Sequence, residues 1–253
     1  LETKIDAVVY RGGIVRQVFL NAELAQGTVN ISRASAQLPG GSSTSLVGLL
    51  SPSDAGPSFD GQAEVSSDNF RALLQWAGVD VSTVPAERLR KMAGSVSVAA
   101  TPENVTLTDI DVTVDVSRLR GGVAIAVRER PGFGVGLSLD KLNLDAYLPK
   151  NESTPRPENP AASPQTTDPS PSTKVPADIA ATGLNRLLKT LDANIEITAG
   201  RLSFKGETAQ NAKIDLTVFD NKVTIREASV ADFAGVGASV AGTLANHNAQ
   251  PAV

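Results

Sequence analysis

The chain has 253 residues, of which 41% are hydrophobic, and a formal net charge of -4; it has enough apolar material for a core and is too mixed in polarity to be disordered throughout. The acidity is spread along the whole length, with no Lys/Arg stripe interleaved with aromatics, so the electrostatic footprint of a nucleic-acid binder is missing. There is no cysteine, which removes disulfides, thiolate metal sites and cysteine nucleophiles, and no run of about 18 apolar residues that would span a bilayer as a helix.

Taken in chain order, the pattern is that of half-buried strands. Leu1 to Val9 is already patterned as a strand, and neither an initiator methionine nor a signal-like start precedes it. The sequence therefore reads as an internal fragment, with any targeting information upstream. Val18, Leu20, Ala22 and Leu24 then alternate with polar or charged neighbours. The spacing next predicts a short helix over Asp68 to Ala77, with Phe70, Leu73, Leu74 and Ala77 on one face, Ser67 or Asp68 as N-cap, Gly78 as stop and Trp76 off that face. Pro85 to Met92 reads as another helical turn or two, with Pro85 near its start and Gly94 beyond its end.

Alternation then returns. Ile110, Val112, Val114 and Val116 interleave with Asp111, Thr113 and Asp115, and the same pattern recurs in Val123, Ile125 and Val127 and in Val135, Leu137 and Leu139. Between Pro149 and Pro176 the composition shifts to Pro, Ser, Thr, Asn and Gln, which cannot offset the entropy of ordering and predicts a linker. A helix is expected over Ala177 to Thr190, stacking Leu184, Leu187, Leu188 and then Leu191. Ile214, Leu216 and Val218 resume the alternation. The whole is expected to be mainly β, an antiparallel sheet with one apolar face and a few short helices.

A short pattern occurs three times: Val29 to Ala36, Val105 to Val112 and Val223 to Val230. In each copy the apolar side switches parity at the same place. Because a one-residue slip sends every side chain to the other face, a bulge or tight bend is expected in each copy. Each copy is followed by an apolar residue and glycine, as in Leu38-Pro39-Gly40-Gly41, Leu119-Arg120-Gly121-Gly122 and Phe233-Ala234-Gly235. The first and third copies align without a gap from Val29 against Val223 through Leu50 against Leu244, matching Ser45 with Ser239 and Gly48 with Gly242. The openings Leu1 to Ile5 and Leu191 to Ile195 also match. Such repetition points to an elongated sheet of meander units, each burying its face only against neighbours. The expected division is a β-unit over 1-66, a helical insertion over 67-93, a second β-unit over 94-149, the linker over 150-176, the helix over 177-190, a third β-unit over 191-245 and a polar tail over 246-253.

The residues assemble no catalytic constellation, metal site or cofactor site. A nucleophile, base and orienting group do not occur together, and His247, the one histidine, sits in the polar tail as a surface residue. Asp109, Asp111 and Asp115 alternate with valines and read as the wet face of a strand; they lack the Gly and distal Glu of a calcium loop. Gly132-Phe133-Gly134-Val135-Gly136 lacks the following Lys-Ser/Thr and helix of a phosphate loop and reads as a glycine-rich start to a strand. Three sequons, at Asn30, Asn104 and Asn151, are of chance-level length.

Leu137 to Pro149 (LSLDKLNLDAYLP), followed by a proline-rich spacer and a strand like Leu191 to Ile195, is similar to the stretch that closes the central region of AsmA-family proteins. Asp68 to Gly78 and Val84 to Arg90 resemble that family's intervening helices, and Arg130-Pro131 ahead of the Leu137 strand is similar as well, in the same order. The resemblance implies a long β-sheet curled into a groove in the periplasm of a Gram-negative bacterium, anchored to the inner membrane through a region outside this chain. It also implies a non-enzymatic role in phospholipid carriage or outer-membrane assembly, with phospholipid and envelope proteins as partners. On that reading, residues 110, 112, 114, 116, 123, 125, 127, 135, 137, 139, 214, 216 and 218 line the groove. Two alternatives stand beside it: a structural or adhesive β-scaffold whose apolar face is a dry core, and an enzyme whose reactive groups lie outside the fragment. The aromatic girdles of a transmembrane barrel are absent.

Overall fold

The computed structural model describes residues 1-148, 190-233 and 235-245. The linker expected at 150-176, the predicted helix at 177-190 apart from Thr190, and the tail 246-253 with His247 and its neighbours lie outside the described residues.

Among the described residues thirteen strands form one open sheet in strict chain order. They are β1 (Glu2–Tyr10), β2 (Gly13–Ala25), β3 (Thr28–Leu38), β4 (Ser42–Ser53), β5 (Gly56–Ser67), β6 (Met92–Ala100), β7 (Asn104–Val114), β8 (Ser117–Ala126), β9 (Gly132–Asn143), β10 (Asp192–Phe204), β11 (Glu207–Phe219), β12 (Lys222–Phe233) and β13 (Val236–Ala245). Each pairs antiparallel with its predecessor, except that β10 runs parallel to β9. The helix α1 (Phe70–Ala77) follows β5, and a single 3-10 turn (Leu144–Ala146) follows β9. This is the elongated, mainly β architecture that the period-two pattern and the repeats predict.

The turns explain why the chain folds back where it does. Arg11-Gly12, Gln26-Gly27, Lys205-Gly206 and Asp220-Asn221 are two-residue connections with positive φ at both positions. This is the hairpin turn whose twist matches the flanking strands, and Gly or Asn tolerates it best. The four turns occupy equivalent places in the first and third units, at the spacing that carries Val29 onto Val223. Two non-glycine residues inside strands with positive φ, Gln17 and Asn211, are related by the same spacing. That spacing sets Leu1 against Ile195, which corrects the match of Leu1 to Ile5 with Leu191 to Ile195. The physical reason is that the hairpin turns fix the register, and β10 has four more residues than β1 on its side away from the turn.

The alternation of strand direction collects both helical insertions and five hairpin turns at one end of the sheet. There α1 is capped by the Asn69 side chain, which accepts from the Ala72 N–H, and it ends in a left-handed Gly78. The N-cap is thus one residue later than Asp68, since it is the Asn69 side chain that accepts from the first turn. Trp76 is the helix's anchor on the sheet: its indole N–H donates to the Tyr10 carbonyl at 2.9 Å, and its ring meets Tyr10 edge-on.

The segment Pro85 to Met92 is not a helix. Leu89 has a φ of 58°, which a helix excludes, and side chains from elsewhere meet its polar backbone. Arg71 donates to the carbonyls of Val81, Val84 and Pro85. The Asp115 carboxylate accepts from the N–H groups of Leu89, Arg90 and Lys91 and from the Tyr147 hydroxyl. Asp145 similarly accepts from Lys205 and Gly206. A local helix propensity loses here to two tertiary partners, Arg71 and Asp115.

Burial raises the pKa of Asp115, yet the N–H groups of Arg90 and Leu89, with Tyr147 and Lys91, outweigh it and hold the carboxyl below its ordinary value. A depressed carboxylate contributes stability in full above the unfolded value of about 3.9 and loses it as pH falls through the lower folded value. Asp115→Ala should therefore lose about 3 kcal/mol at pH 7 in urea unfolding. The deficit should shrink as the pH drops below about 4. An unchanged urea midpoint at pH 7 would contradict this role.

Candidate functional site: an apolar sheet face

No second layer covers the sheet among the described residues. Each strand's extensive contacts are with its chain neighbours, and the side chains buried as apolar core are Ala22, Val81, Ala193 and Val218. What the sheet offers is therefore two faces, which cross-strand register separates, since directly paired residues share a face.

One face is aliphatic across twelve strands, from β2 to β13. A row starts at Leu20, Ala34, Leu46, Ala63 and Val96. It continues through Ile110, Gly121, Leu137, Ile197, Ile214 and Ala228, and ends at Val240. Rows through Val112, through Leu107 and through Val105 run parallel to it, and none of the four holds a charged residue. With strands about 4.8 Å apart and same-face residues about 6.7 Å apart, the strip measures about 53 by 20 Å along the sheet. Most of its residues are half-buried by their own neighbours, Ala22, Ala193 and Val218 are buried, and others are open, at 47% exposed for Ile214, 63% for Val240 and 72% for Leu24. Packing is tightest beside the parallel joint, where Phe133, Leu191, Ile195, Leu216 and Val223 surround Ala193 and Val218.

The strip stays on one face because of bulges. In β3 the apolar residues Ile31 and Ala34 are three apart rather than two, and the register with β4 shifts between them. The same shift falls between Leu107 and Ile110 and between Ile225 and Ala228. Each is the place where the sequence changes parity, so the extra residue returns the second half of the strand to the apolar side. Glycines flatten the strip locally. A Cβ on Gly61 would lie 2.3 Å from the Val47 carbonyl oxygen and 2.6 Å from the Phe59 ring, which shows that the ring covers the glycine backbone.

Ten of the thirteen expected lining residues lie in these rows: Ile110 and Val112 in β7, Val123 and Ile125 in β8, Val135, Leu137 and Leu139 in β9, and Ile214, Leu216 and Val218 in β11; Val114 lies on the same face one row further along, opposite Met92 and Ser117. Val116 and Val127 do not. Val116 follows Asp115, whose φ of 52° turns the chain, and Val127 lies past the end of β8; they are 65% and 54% exposed. Asp115 is likewise a turn residue rather than part of a wet strand face. The extension of the rows into β2 to β6, β10, β12 and β13 was missed as a lining, although the parity switch already carried the signal.

The opposite face is polar along matching rows. One runs through Ser35, Ser45, Glu64, Ser95, Asp111 and Arg120, and on through Ser138, Thr198, Lys213 and Ser229. Between its longer side chains lies a trough of about 660 Å³ floored by serines. Four of the carboxylates on this face are engaged by cations. Arg118 and Arg120 both reach Asp111, Arg226 donates to Asp215 at 2.8 Å, and Lys213 lies 3.4 Å from Glu196 and 3.2 Å from Glu227. The Arg118 hydrogen bond holds Asp111 below the usual carboxylate range, as Arg226 does for Asp215. Those charges fix the sheet's wet side. No group of three His, Cys, Asp or Glu residues among the described residues could hold a metal ion.

The bulge in β7 places Asp109 at a φ of 51°. Asp109→Val should lower stability by about 1 to 2 kcal/mol, because a β-branched residue resists that conformation. Asp109→Gly should leave it nearly unchanged. Equal urea midpoints for the two variants would show that the bulge relaxes freely.

Comparison of the chain with protein-family models, with curated proteins and with solved structures finds no match.

Proposed function

We propose that the aliphatic face carries phospholipid acyl chains, and that the chain is a periplasmic segment of an AsmA-family protein supporting outer-membrane assembly without catalysing a reaction. The observation that carries this reading is the run of four rows without a charge across the strands, set against a polar face on which Asp111, Asp215, Glu196 and Glu227 pair with cations. An acyl chain of some 16 carbons exposed to water costs on the order of 10 kcal/mol, at about 0.8 kcal/mol per methylene. A strip about 53 Å long removes most of that penalty continuously. Movement along it then needs no covalent step, while headgroups stay in water at the strip's margins.

The scaffold alternative requires a layer to dry the face, and none is found among the described residues. The family assignment rests on the Leu137 to Pro149 stretch and the order of the elements around it. Anchoring in the inner membrane belongs on this reading to a region outside the chain. No helix among the described residues is long and apolar enough to cross a membrane.

Photo-crosslinking side chains placed at Val112 and at Thr113 test the reading, since the two positions lie on opposite faces of β7. With vesicles of phosphatidylethanolamine and phosphatidylglycerol, or with lipid that co-purifies, position 112 should label phospholipid at least tenfold more than position 113. Equal labelling, or none, would overturn it.

A further inference from the structure

The polar face differs between the repeated units. In the third unit ion pairs cross it: Lys213 lies between Glu196 and Glu227, and Arg226 meets Asp215. In the second, Arg118 and Arg120 reach across to Asp111. The first unit is built otherwise. At the spacing that carries Val29 onto Val223, Phe19, Asn21, Ser32 and Arg33 stand where the third unit has Lys213, Asp215, Arg226 and Glu227. By strand register, Ser35, Ser45 and Ser43 stand where the second unit has Asp111, Arg120 and Arg118. Among the described residues the ion pair of β1 to β5 is Lys4 with Glu2, within one strand.

The trough of about 660 Å³ lies here, reaching from Gln17 and Arg33 to Asp111 and Arg118. Its volume is that of a small-molecule site, roughly 300 to 1,000 Å³. Two charges on it have no ion-pair partner among the described residues. Glu64 rises from β5 between Ser45 and Ser95, and the Arg33 guanidinium lies over the Phe19 ring at 5.8 Å. The same positions in the other units are neutralised by neighbours, so the fold itself does not require a trough.

The chemistry of these groups selects the ligand. Inside a sheet the ladders engage the backbone N–H and C=O groups, so the floor offers side chains alone. A peptide that reads β-structure uses the backbone of an edge and finds none on this face. A serine hydroxyl both donates and accepts, as a sugar hydroxyl does, and a carboxylate accepts from two hydroxyls at once. A guanidinium takes an acidic group through paired hydrogen bonds. We infer that the trough binds a short oligosaccharide carrying one acidic group, with its hydroxyls on the serines and Glu64 and its acid on Arg33. The site lies on the face opposite the aliphatic strip and does not depend on the lipid reading.

Sialyllactose, a trisaccharide with a single carboxylate, serves as the probe in heteronuclear NMR of the full chain. At millimolar concentration it should shift the amide signals of Ser45, Glu64 and Ser95 saturably and leave those of Ser229 and Ser239 in place. Lactose, and an acidic peptide of glycine, serine and aspartate, should bind at least tenfold more weakly. Arg33→Gln should weaken sialyllactose at least tenfold without moving the urea midpoint. Ser45→Arg sets an arginine directly opposite Glu64, as Arg120 stands opposite Asp111, and should abolish binding while holding or raising the urea midpoint. Absent or unsaturable shifts, an equal response to lactose or to the peptide, or unchanged affinity in Arg33→Gln or in folded Ser45→Arg would overturn the inference.

Discussion

Every feature of this molecule depends on keeping the aliphatic side chains of a single-layer sheet on one side. A strand presents its residues alternately, so one residue of slip would exchange the apolar and polar faces over the rest of its length. Three strands carry such a slip in sequence, and in each a bulge at the same point cancels it. Without those bulges the far halves of β3, β7 and β12 would put aliphatic residues such as Leu38, Ile110, Val112 and Val230 among the salt bridges of the wet face. The sheet would then have no continuous apolar strip.

With so little fully buried, the sheet is held by its ladders, its turns and its polar ties. Each strand gains from its two neighbours, as in other quasi-one-dimensional folds. The closed end adds the contacts that a layered protein would find in its core: Trp76 on Tyr10, Arg71 on three carbonyls, and Asp115 under three N–H groups. On the wet face the pairs Asp111 with Arg118 and Asp215 with Arg226 bridge neighbouring strands, where exposure keeps their individual worth modest. Uncovered aliphatic area is the liability of this design, and it is also what gives the strip something to do.

Much of this was legible in the residues, and for identifiable reasons. Alternation such as Ile110, Val112 and Val114 against Asp111 and Thr113 has a single satisfactory conformation, and the threefold parity switch marked the bulges before any register was known. The misreadings were of residues whose conformation is set from outside their own segment. Asp115 continues the alternation in sequence yet turns the chain, because the loop at Leu89 to Lys91 and the Tyr147 hydroxyl converge on it. Pro85 to Met92 has helical spacing, but distant side chains meet its backbone groups first. The breadth of the strip was underestimated because small residues such as Ala34, Ala63, Gly121 and Ala228 carry little periodic signal, although register puts them in the same row as Leu137 and Ile214.

A face this long, free of charge and backed by a polar side, suits a ligand that is itself long and apolar, and the proposed role in lipid carriage follows from that fit. The most direct measurement is paramagnetic broadening of methyl resonances by a phospholipid spin-labelled on its acyl chain. The account predicts strong broadening at Ile110, Leu137, Ile197 and Ile214, with the methyls of Thr198 and Thr217 on the other face left sharp. Broadening spread equally over both faces, or absent at saturating lipid, would contradict it.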